Sequence, residues 1–230
     1  WNPNSNSLIG SLAIDGTTVY AGGWFTTMGL TPHNYVAAID RTSGLASPSW
    51  NPNANNIVYS LALNGTTVYA GGVFTMIGGA TRSRLAAMNT DGTLESWSPI
   101  ANSNVYALLV NGTTIYAGGA FTTINGATRS YLAAIDANGT LQTWAPNANT
   151  DVNALAISGT KIYVGGAFTT VYAQLRNRLA AIDTNGSLDT SWGPNANGVV
   201  RALAVSGSNI YAGGDFTTLT GGAATRHRHA

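Results

Sequence analysis

The sequence predicts an all-β fold, a β-propeller of five repeats made from four-stranded antiparallel blades, because three features recur along it. A Trp-x-Pro motif returns every 47 to 49 residues, each unit contains a Gly-Gly pair, and a Phe-Thr pair follows the glycines after one intervening residue. The Trp-x-Pro motif begins at Trp1, Trp50, Trp97, Trp144 and Trp192. The predicted repeats are residues 1–49, 50–96, 97–143, 144–191 and 192–230, which together form one domain.

The second repeat shows how the four strands follow from the residues. Its short apolar and β-branched runs are Ile57–Leu63, Thr67–Phe74, Arg84–Met88 and Leu94–Trp97. Asn64–Gly65 between the first two runs predicts a type I′ hairpin turn, in which both central residues need positive φ. Tight turns make neighbouring strands antiparallel. A four-stranded meander at this spacing is typical of a propeller blade, whereas a parallel β-solenoid has shorter rungs and no hairpin at every step.

Both faces of the predicted first strand carry apolar residues. Strict alternation puts Val58 and Ala62 on one face of the second repeat and Tyr59, Leu61 and Leu63 on the other. A sheet covered on both faces, as a blade is between two neighbours, has this composition. We expect the Gly-Gly pairs to be buried where adjacent blades approach closely, and the tryptophans to lie as wedges between blades.

The last repeat is incomplete in this chain. When it is aligned with the second repeat, Ala230 falls at the position of Ala86, so the end of the third strand and the fourth strand are missing. We expect the chain either to close its ring weakly through Trp1–Pro3 or to join another copy or further sequence through the open edge.

Composition excludes several classes of partner. Charged residues make up 8% of the chain, the formal net charge is +1, and Lys161 is the single lysine, so the basic stripe of a nucleic-acid-binding protein is missing. No apolar run approaches the roughly twenty residues that a membrane-spanning helix needs, and membrane insertion is not predicted. The sequence contains no cysteine, which excludes disulfides and thiolate metal ligands. No cofactor is predicted.

A family resemblance is clearest in the fourth repeat. This repeat contains VNALA (152–156), KIYVGGAFT (161–169), RNRLA (176–180) and DTNGSLD (183–189). The pattern resembles the delta-60 repeat of bacterial and archaeal β-propellers, and the resemblance extends over the whole chain. The first repeat departs most, with TPHNY (31–35) where the others have a stretch like Arg-x-Arg. The resemblance implies a propeller in a large secreted or cell-surface protein and implies no particular activity.

Departures from the repeat indicate a binding site. One first-strand position varies as Gly10, Tyr59, Tyr106, Asn153 and Arg201 along the five repeats, and the position two residues earlier varies as Leu8, Ile57, Asn104, Asp151 and Val199. With the first strand innermost, these residues ring one mouth of the central channel. The candidate ligand-binding residues are therefore Tyr59, Tyr106, Asp151, Asn153 and Arg201. Asp151 and Arg201 belong to adjacent blades, and the favoured interpretation is an ion pair between them.

Other polar motifs have structural interpretations. The Asp-x-Asn-Gly motifs Asp136–Gly139 and Asp183–Gly186, with variants at Asp40 and Asn89, lack the further carboxylates of a calcium loop and are interpreted as turns. His227 and His229 have no third ligand and are interpreted as an exposed tail, so no metal site is predicted. Sequons that coincide with predicted turns are candidate glycosylation sites, at Asn64, Asn111, Asn138 and Asn185.

No catalytic residues are predicted. Glu95 is the single glutamate, and neither a carboxylate pair nor a Ser-His-Asp order stands out. We therefore predict a non-enzymatic extracellular or cell-surface scaffold or interaction module, part of a surface, adhesive or assembled structure, whose partners are other proteins or copies of itself. The alternative is a glycan-binding, lectin-like propeller, and a propeller hydrolase is a third.

Overall fold

The computed structural model describes residues 1–221, and these form five blades that follow one another in chain order. Every regular element in this range is a β-strand. Within it, no helix exists that has the length and apolar character to cross a membrane. The predicted all-β propeller with antiparallel blades is confirmed.

The first strand of each blade is innermost and packs against the first strands of its neighbours. These strands are β1 (Ile9–Asp15), β6 (Val58–Asn64), β11 (Val105–Asn111), β16 (Val152–Ser158) and β22 (Val200–Ser206). Each pairs with a second strand, namely β2 (Thr18–Gly23), β7 (Thr67–Gly72), β12 (Thr114–Gly119), β17 (Lys161–Gly166) and β23 (Asn209–Gly214). Blades 1 to 4 add a third strand, namely β5 (Val36–Asp40), β10 (Leu85–Asn89), β15 (Leu132–Asp136) and β20 (Leu179–Asp183).

Short two-stranded ribbons lie between the second and third strands, and the sequence analysis missed them. They pair β3 (Thr27–Met28) with β4 (Thr31–Pro32), β8 (Met76–Ile77) with β9 (Ala80–Thr81), β13 (Thr123–Ile124) with β14 (Ala127–Thr128), and β18 (Thr170–Val171) with β19 (Gln174–Leu175). In blade 5, β21 (Asn195–Ala196) pairs with β24 (Leu219–Thr220). Strands of two residues are too short to leave a periodic signal in the sequence.

The predicted fourth strand is reduced to a single bridge in blades 1 to 4. In blade 2 the bridge joins Met88 and Leu94, and Glu95 donates its backbone N–H to the Ala87 carbonyl at 2.9 Å. Two residues later the chain places Trp97 in the junction with blade 3, so pairing along the sheet stops there. The short fourth strand predicted at Leu94–Trp97 is thus present only as this bridge.

A β-bulge interrupts every first strand at the same position. In blade 2, Val58 pairs with Gly72 and Ser60 with Gly71, which leaves Tyr59 without a partner in the ladder. The same shift occurs in the other four blades. An extra residue reverses the alternation of side chains beyond it. Leu61 therefore packs on the same face as Val58, and the strict alternation expected from the sequence was wrong.

The hairpin turn between the first and second strands is displaced by one residue from the prediction. Because Asn64 pairs with Thr67, the central residues are Gly65 and Thr66. Gly65 has a φ of +57°, whereas Asn64 and Thr66 do not have positive φ. Positive φ at the first central position alone is the pattern of a type II′ turn, not the predicted type I′ turn.

Adjacent blades meet through the first glycine of each Gly-Gly pair. A Cβ atom on Gly71 would lie 2.7 Å from Cγ1 of Val105 in blade 3, and one on Gly118 would lie 2.6 Å from Cγ1 of Val152 in blade 4. Contacts this short mean that the neighbouring valine would have to shift before any side chain could be accommodated at these positions. The predicted burial of the Gly-Gly pairs is confirmed in blades 1 to 4, whereas Gly213 and Gly214 of blade 5 are exposed.

The outer part of each junction is filled by a tryptophan, as predicted. Each ring packs on a tyrosine of the preceding blade with ring centroids 5.0 Å apart, in the pairs Tyr20–Trp50, Tyr69–Trp97, Tyr116–Trp144 and Tyr163–Trp192. The indole N–H of Trp97 donates to the Asp136 carbonyl at 2.9 Å, so this side chain links blade 2 to blade 3. Edge contacts of this kind add to the free energy of burying the rings.

We predict that Gly118→Val lowers the free energy of unfolding by about 1–3 kcal/mol, because the new side chain collides with Val152. Chemical denaturation of dilute protein measures the change. The matched control is Gly213→Val, since a Cβ at Gly213 would meet no atom of residues 1–221 within 4 Å. Equal stability of the two variants would contradict the packing account.

His33 supplies a second test, because it is fully buried where the first repeat departs from the others. Burial lowers the pKa of His33, and the Asn51 side chain opposes this only in part. The unfolded chain therefore takes up a proton at this position more readily than the folded chain. Stability contributed by neutral His33 is present above the ordinary histidine pKa and is lost as the pH falls below it.

We predict that the melting temperature falls between pH 7 and pH 5, and that His33→Arg reduces this fall. Arginine is the residue at the equivalent positions, where Arg82, Arg129 and Arg176 each donate from Nη2 to a backbone carbonyl. Melting curves for both proteins across this range, in which exposed carboxylates stay ionised, isolate the contribution of His33. The same pH dependence in both proteins would contradict the assignment.

Candidate binding site at the channel mouth

The five bulge residues converge on one mouth of the central channel. They line a cavity of about 570 Å³ together with Trp24 and residues of blades 4 and 5. The lining residues are Gly10, Trp24, Tyr59, Tyr106, Asp151, Asn153, Ala167, Val199 and Arg201. A bulge re-aims the extra side chain, and here the bulge residues Tyr59, Tyr106, Asn153 and Arg201 line the channel cavity. The five candidate residues predicted from sequence thus lie in one cavity.

One half of the mouth is aromatic. The rings of Trp24 and Tyr59 have centroids 5.4 Å apart at an interplanar angle of 71°, and Tyr59 and Tyr106 follow at 5.3 Å and 70°. Neighbouring rings are therefore close to perpendicular, in edge-to-face contact. Burial raises the pKa of Tyr59, and the neighbouring Tyr106 adds to this shift, so the Tyr59 phenol is neutral near pH 7. The result is a row of three partly exposed π-systems across blades 1 to 3.

Trp24 was missed by the sequence analysis. It occupies the position between the Gly-Gly and Phe-Thr pairs, where the other blades have Val73, Ala120, Ala167 and Asp215. A Cβ on Gly10 would lie 2.7 Å from the Trp24 ring, so the missing side chain of the bulge residue makes room for the indole. A comparison of the residue between the Gly-Gly and Phe-Thr pairs across the five repeats would have identified this position.

The other half of the mouth is polar. The Asn153 side chain donates from Nδ2 to the Val200 carbonyl at 3.3 Å, which ties blade 4 to blade 5. Burial raises the pKa of Asp151, and the hydrogen bond to its own backbone N–H opposes this shift. Among the described residues, the Asp151 carboxylate has no ion-pair partner within 4.0 Å.

The predicted ion pair between Asp151 and Arg201 was wrong. Arg201 instead forms a bidentate pair with Asp215 of its own blade, with Nε and Nη2 at 2.7 and 2.6 Å from the two carboxylate oxygens. Position 215 is the counterpart of Trp24 in blade 1, so both members of the pair sit at variable positions of one blade. Since Arg201 and Asp215 neutralise each other, Asp151 leaves the mouth with one net negative charge.

The channel mouth therefore has the groups needed to bind a cation or a sugar. Partly buried aromatic faces accept cations or the apolar faces of sugars, and a carboxylate beside an amide orients a hydrogen-bonding ligand. Among residues 1–221, no three His, Asp or Glu side chains come close enough together to hold a metal ion. The cavity lining includes neither histidine nor serine.

The motifs outside the mouth serve the turns in which they lie. The Asp136 carboxylate accepts the backbone N–H groups of Asn138 and Thr140 at 2.9 and 2.8 Å, so it stabilises its own turn. The four sequon asparagines are exposed, and their glycosylation stays a prediction. His227 and His229 lie outside the described residues.

Comparison of the sequence with family models gives three matching segments. Residues 67–96, 114–143 and 161–191 match the family described as "Domain of unknown function (DUF5122) beta-propeller". Each segment runs from the second strand to the end of its predicted repeat. Comparison with curated proteins finds no match.

Solved structures share the fold at low sequence identity. The WD40 β-propeller domain of Doa1 has a TM-score of 0.60 at 15% identity, over 89% of this chain and 60% of that one. The extracellular domain of BT4673 from B. thetaiotaomicron has a TM-score of 0.60 at 16% identity, over 94% of this chain and 28% of that one. A chain of a nidogen/laminin complex has a TM-score of 0.58 at 14% identity, over 89% of this chain and 71% of that one. The chain is thus a tandem-repeat β-propeller protein whose second, third and fourth repeats match a propeller repeat family.

Proposed function

We propose that the chain is a non-enzymatic interaction module of an extracellular or cell-surface protein of the delta-60 repeat type, and that it binds its partner at the channel mouth. The observation that supports this most strongly is the collection of repeat-breaking side chains at one mouth. Five blades of similar sequence place four different residue types there, namely Gly10, Tyr59, Tyr106, Asn153 and Arg201. A purely structural repeat has no packing reason to vary at an inward position shared by every blade.

The chemistry of the mouth favours a cationic side chain of a partner protein. Trp24, Tyr59 and Tyr106 offer π-faces, and Asp151 supplies an unneutralised carboxylate in the same cavity. A lysine or arginine side chain inserted from a partner would gain both contacts. Such an insertion is also the geometry in which hot-spot residues of protein interfaces are found, with the charged group desolvated in a central pocket.

A glycan is the second candidate ligand. The aromatic row in blades 1 to 3 suits the apolar face of a sugar ring, and Asp151 and Asn153 opposite it suit sugar hydroxyls. This candidate needs no charge on the ligand. The two candidates therefore differ in whether the negative charge of Asp151 contributes to affinity.

We predict that arginine amide binds to the mouth and that Asp151→Asn weakens the binding by about tenfold, which corresponds to ~1.4 kcal/mol. Asparagine is the residue of blade 3 at this position, Asn104, so the variant removes the charge and keeps the fold. Isothermal titration calorimetry at low salt measures the affinity, since screening weakens the attraction at high salt.

The matched control is Asp15→Ser, which removes an exposed negative charge outside the mouth and introduces the residue found at Ser158 and Ser206. It should leave the affinity unchanged. If both variants weaken binding equally, the attraction is not located at the mouth. Binding of one sugar class on a glycan array, with no binding of arginine amide, would favour the second candidate instead.

A dependence on pH provides a further check. Because burial raises the pKa of Asp151, its charge is lost at a higher pH than that of an exposed aspartate. The affinity for arginine amide is expected to fall as the pH is lowered towards this raised pKa, and the Asp151→Asn variant should lose this dependence. Calorimetric titrations of both proteins between pH 7 and pH 4 test it.

A further inference from the structure

A second cavity lies between blades 3 and 4 and is separate from the channel mouth. It has a volume of about 330 Å³. We define this rim pocket by six of the residues that line it, namely Thr114, Gln142, Thr143, Trp144, Tyr172 and Asn185. Thr114 pairs with Asn111 at the end of β11, whereas the mouth residue Tyr106 lies near the start of β11. The two cavities are therefore at opposite ends of the strands of blade 3.

Two polar positions form a bonded pair in the blades on either side of blade 3. In blade 2, the Thr67 hydroxyl donates to Oε1 of Glu95 at 2.9 Å. In blade 4, Nζ of Lys161 donates to Oδ2 of Asp189 at 2.6 Å. Each pair joins the start of the second strand to the residue that follows the fourth-strand bridge. These polar groups are thus used within their own blade.

Thr114 and Gln142 hold the same two positions in blade 3 and do not bond to each other. Nε2 of Gln142 instead donates to Oδ2 of Asp136 at 3.2 Å. The hydroxyls of Thr114 and Thr143 and the Oε1 atom of Gln142 form no hydrogen bond with another described residue, and all three side chains line the rim pocket. Blade 3 therefore presents to the pocket polar groups of the kind that its neighbours use internally.

Tyr172 lines the pocket from blade 4 and has an unfavourable backbone conformation. Tyr172 and Ala173 are the central residues of the turn between β18 and β19, with φ of +51° and +60°. The same turn positions are Gly78–Gly79 in blade 2 and Asn125–Gly126 in blade 3, residue types that tolerate positive φ. Tyrosine and alanine adopt it only at a higher energy, and residues strained in this way cluster at functional sites.

The hydrogen bond made by the Tyr172 side chain does not require its ring. The Tyr172 hydroxyl donates to the Gly186 carbonyl at 2.8 Å. In blade 3, Nδ2 of Asn125 donates to the equivalent carbonyl of Gly139 at 3.4 Å. Asparagine thus makes this bond with a side chain that also suits the turn. What the ring of Tyr172 adds is aromatic surface, 37% of the residue being exposed, beside the unpaired groups of blade 3.

We infer that the rim pocket is a second binding site and that it takes one neutral sugar residue of a glycan. Its lining, all of it within residues 1–221, contains no charged side chain, so neither an anion nor a cation would gain an ion pair there. Sugar hydroxyls donate to Oε1 of Gln142 and bond with the hydroxyls of Thr114 and Thr143, while the apolar face of the sugar packs on Tyr172.

The size of the rim pocket agrees with a ligand of one ring. Its volume of about 330 Å³ is near the lower end of the range for small-molecule sites, which is about 300–1,000 Å³. The site differs from the channel mouth in chemistry as well as in place, because the mouth contains the Asp151 carboxylate and the rim pocket is uncharged. The inference is therefore independent of the function proposed for the mouth.

Two variants remove groups of the rim pocket, and a third provides the matched control. Tyr172→Asn introduces the residue of Asn125, so it removes the ring and keeps a side chain that suits the turn. Thr114→Val removes one unpaired hydroxyl and keeps the shape of the side chain. The control, Asn125→Gly, changes the same turn in blade 3 and introduces the residue of Gly78. Circular dichroism should show that each variant folds as the parent does.

Saturation-transfer difference NMR with the methyl glycosides of glucose, galactose, mannose and N-acetylglucosamine measures the binding. The protein should be produced without N-glycosylation, because Asn185 of the pocket is also a candidate glycosylation site. The parent and Asn125→Gly are expected to bind at least one of these glycosides with the same affinity. Tyr172→Asn is expected to weaken this binding by about tenfold and Thr114→Val by about threefold.

No saturation transfer to any of the four glycosides from the parent protein would overturn the inference. Glycoside binding that Tyr172→Asn leaves unchanged and Asp151→Asn weakens would also overturn it, since the sugar would then be bound at the channel mouth. The result does not depend on the titration with arginine amide, which concerns the mouth alone.

Discussion

The contact between a second-strand glycine of one blade and a first-strand valine of the next is the interaction on which the rest of the structure depends. It lets the inner edges of adjacent sheets approach so closely that a Cβ atom on the glycine would lie 2.6–2.9 Å from a valine methyl in the four junctions and would force the valine to shift. A tryptophan on a tyrosine fills the wider outer part of each junction. The small glycine at the inner end of each junction and the large tryptophan at its outer end set the angle between adjacent blades. This angle in turn sets the curvature of the array.

Because stability is divided among junctions, the protein has no single core. The buried apolar residues fall into separate clusters, each shared mainly by two neighbouring blades. Each blade is thus stabilised by its neighbours, as in other repeat proteins. The same arrangement leaves half a junction exposed at each end of the described residues.

The blade junctions fix the position of the channel mouth, whereas the residue types that line the mouth differ from blade to blade. The bulge residue of each blade lies outside the strand ladder and is not part of the glycine–valine contact, so different residues occur at this position. Within a blade, the bulge residue and the residue after the Gly-Gly pair compensate for each other. Gly10 lies beside Trp24, and Arg201 pairs with Asp215. Such pairs can change in size and charge together while the blade keeps its packing.

Features that recur in every repeat were predicted well from the sequence. Features that depend on local backbone geometry were predicted poorly. The blades, the buried glycines and the tryptophan wedges were predicted because the same residues recur in every repeat. The five mouth residues were identified because they differ between repeats at positions that recur. The bulge at Tyr59 and the shifted turn at Gly65 leave no periodic signal, because one extra residue in a strand looks like ordinary sequence. The partner of Arg201 was missed because Asp215 is 14 residues away along the chain and becomes a neighbour only across the strand pair.

Amide hydrogen exchange tests most directly whether stability is passed from blade to blade through these junctions. It should be measured by mass spectrometry on dilute, monomeric protein, comparing equivalent first strands. The account predicts that β11, between two complete junctions, exchanges more slowly than β1 and β22, each of which has one junction. Equal protection of all three strands would contradict it, since the end blades would then be as well supported as the central one.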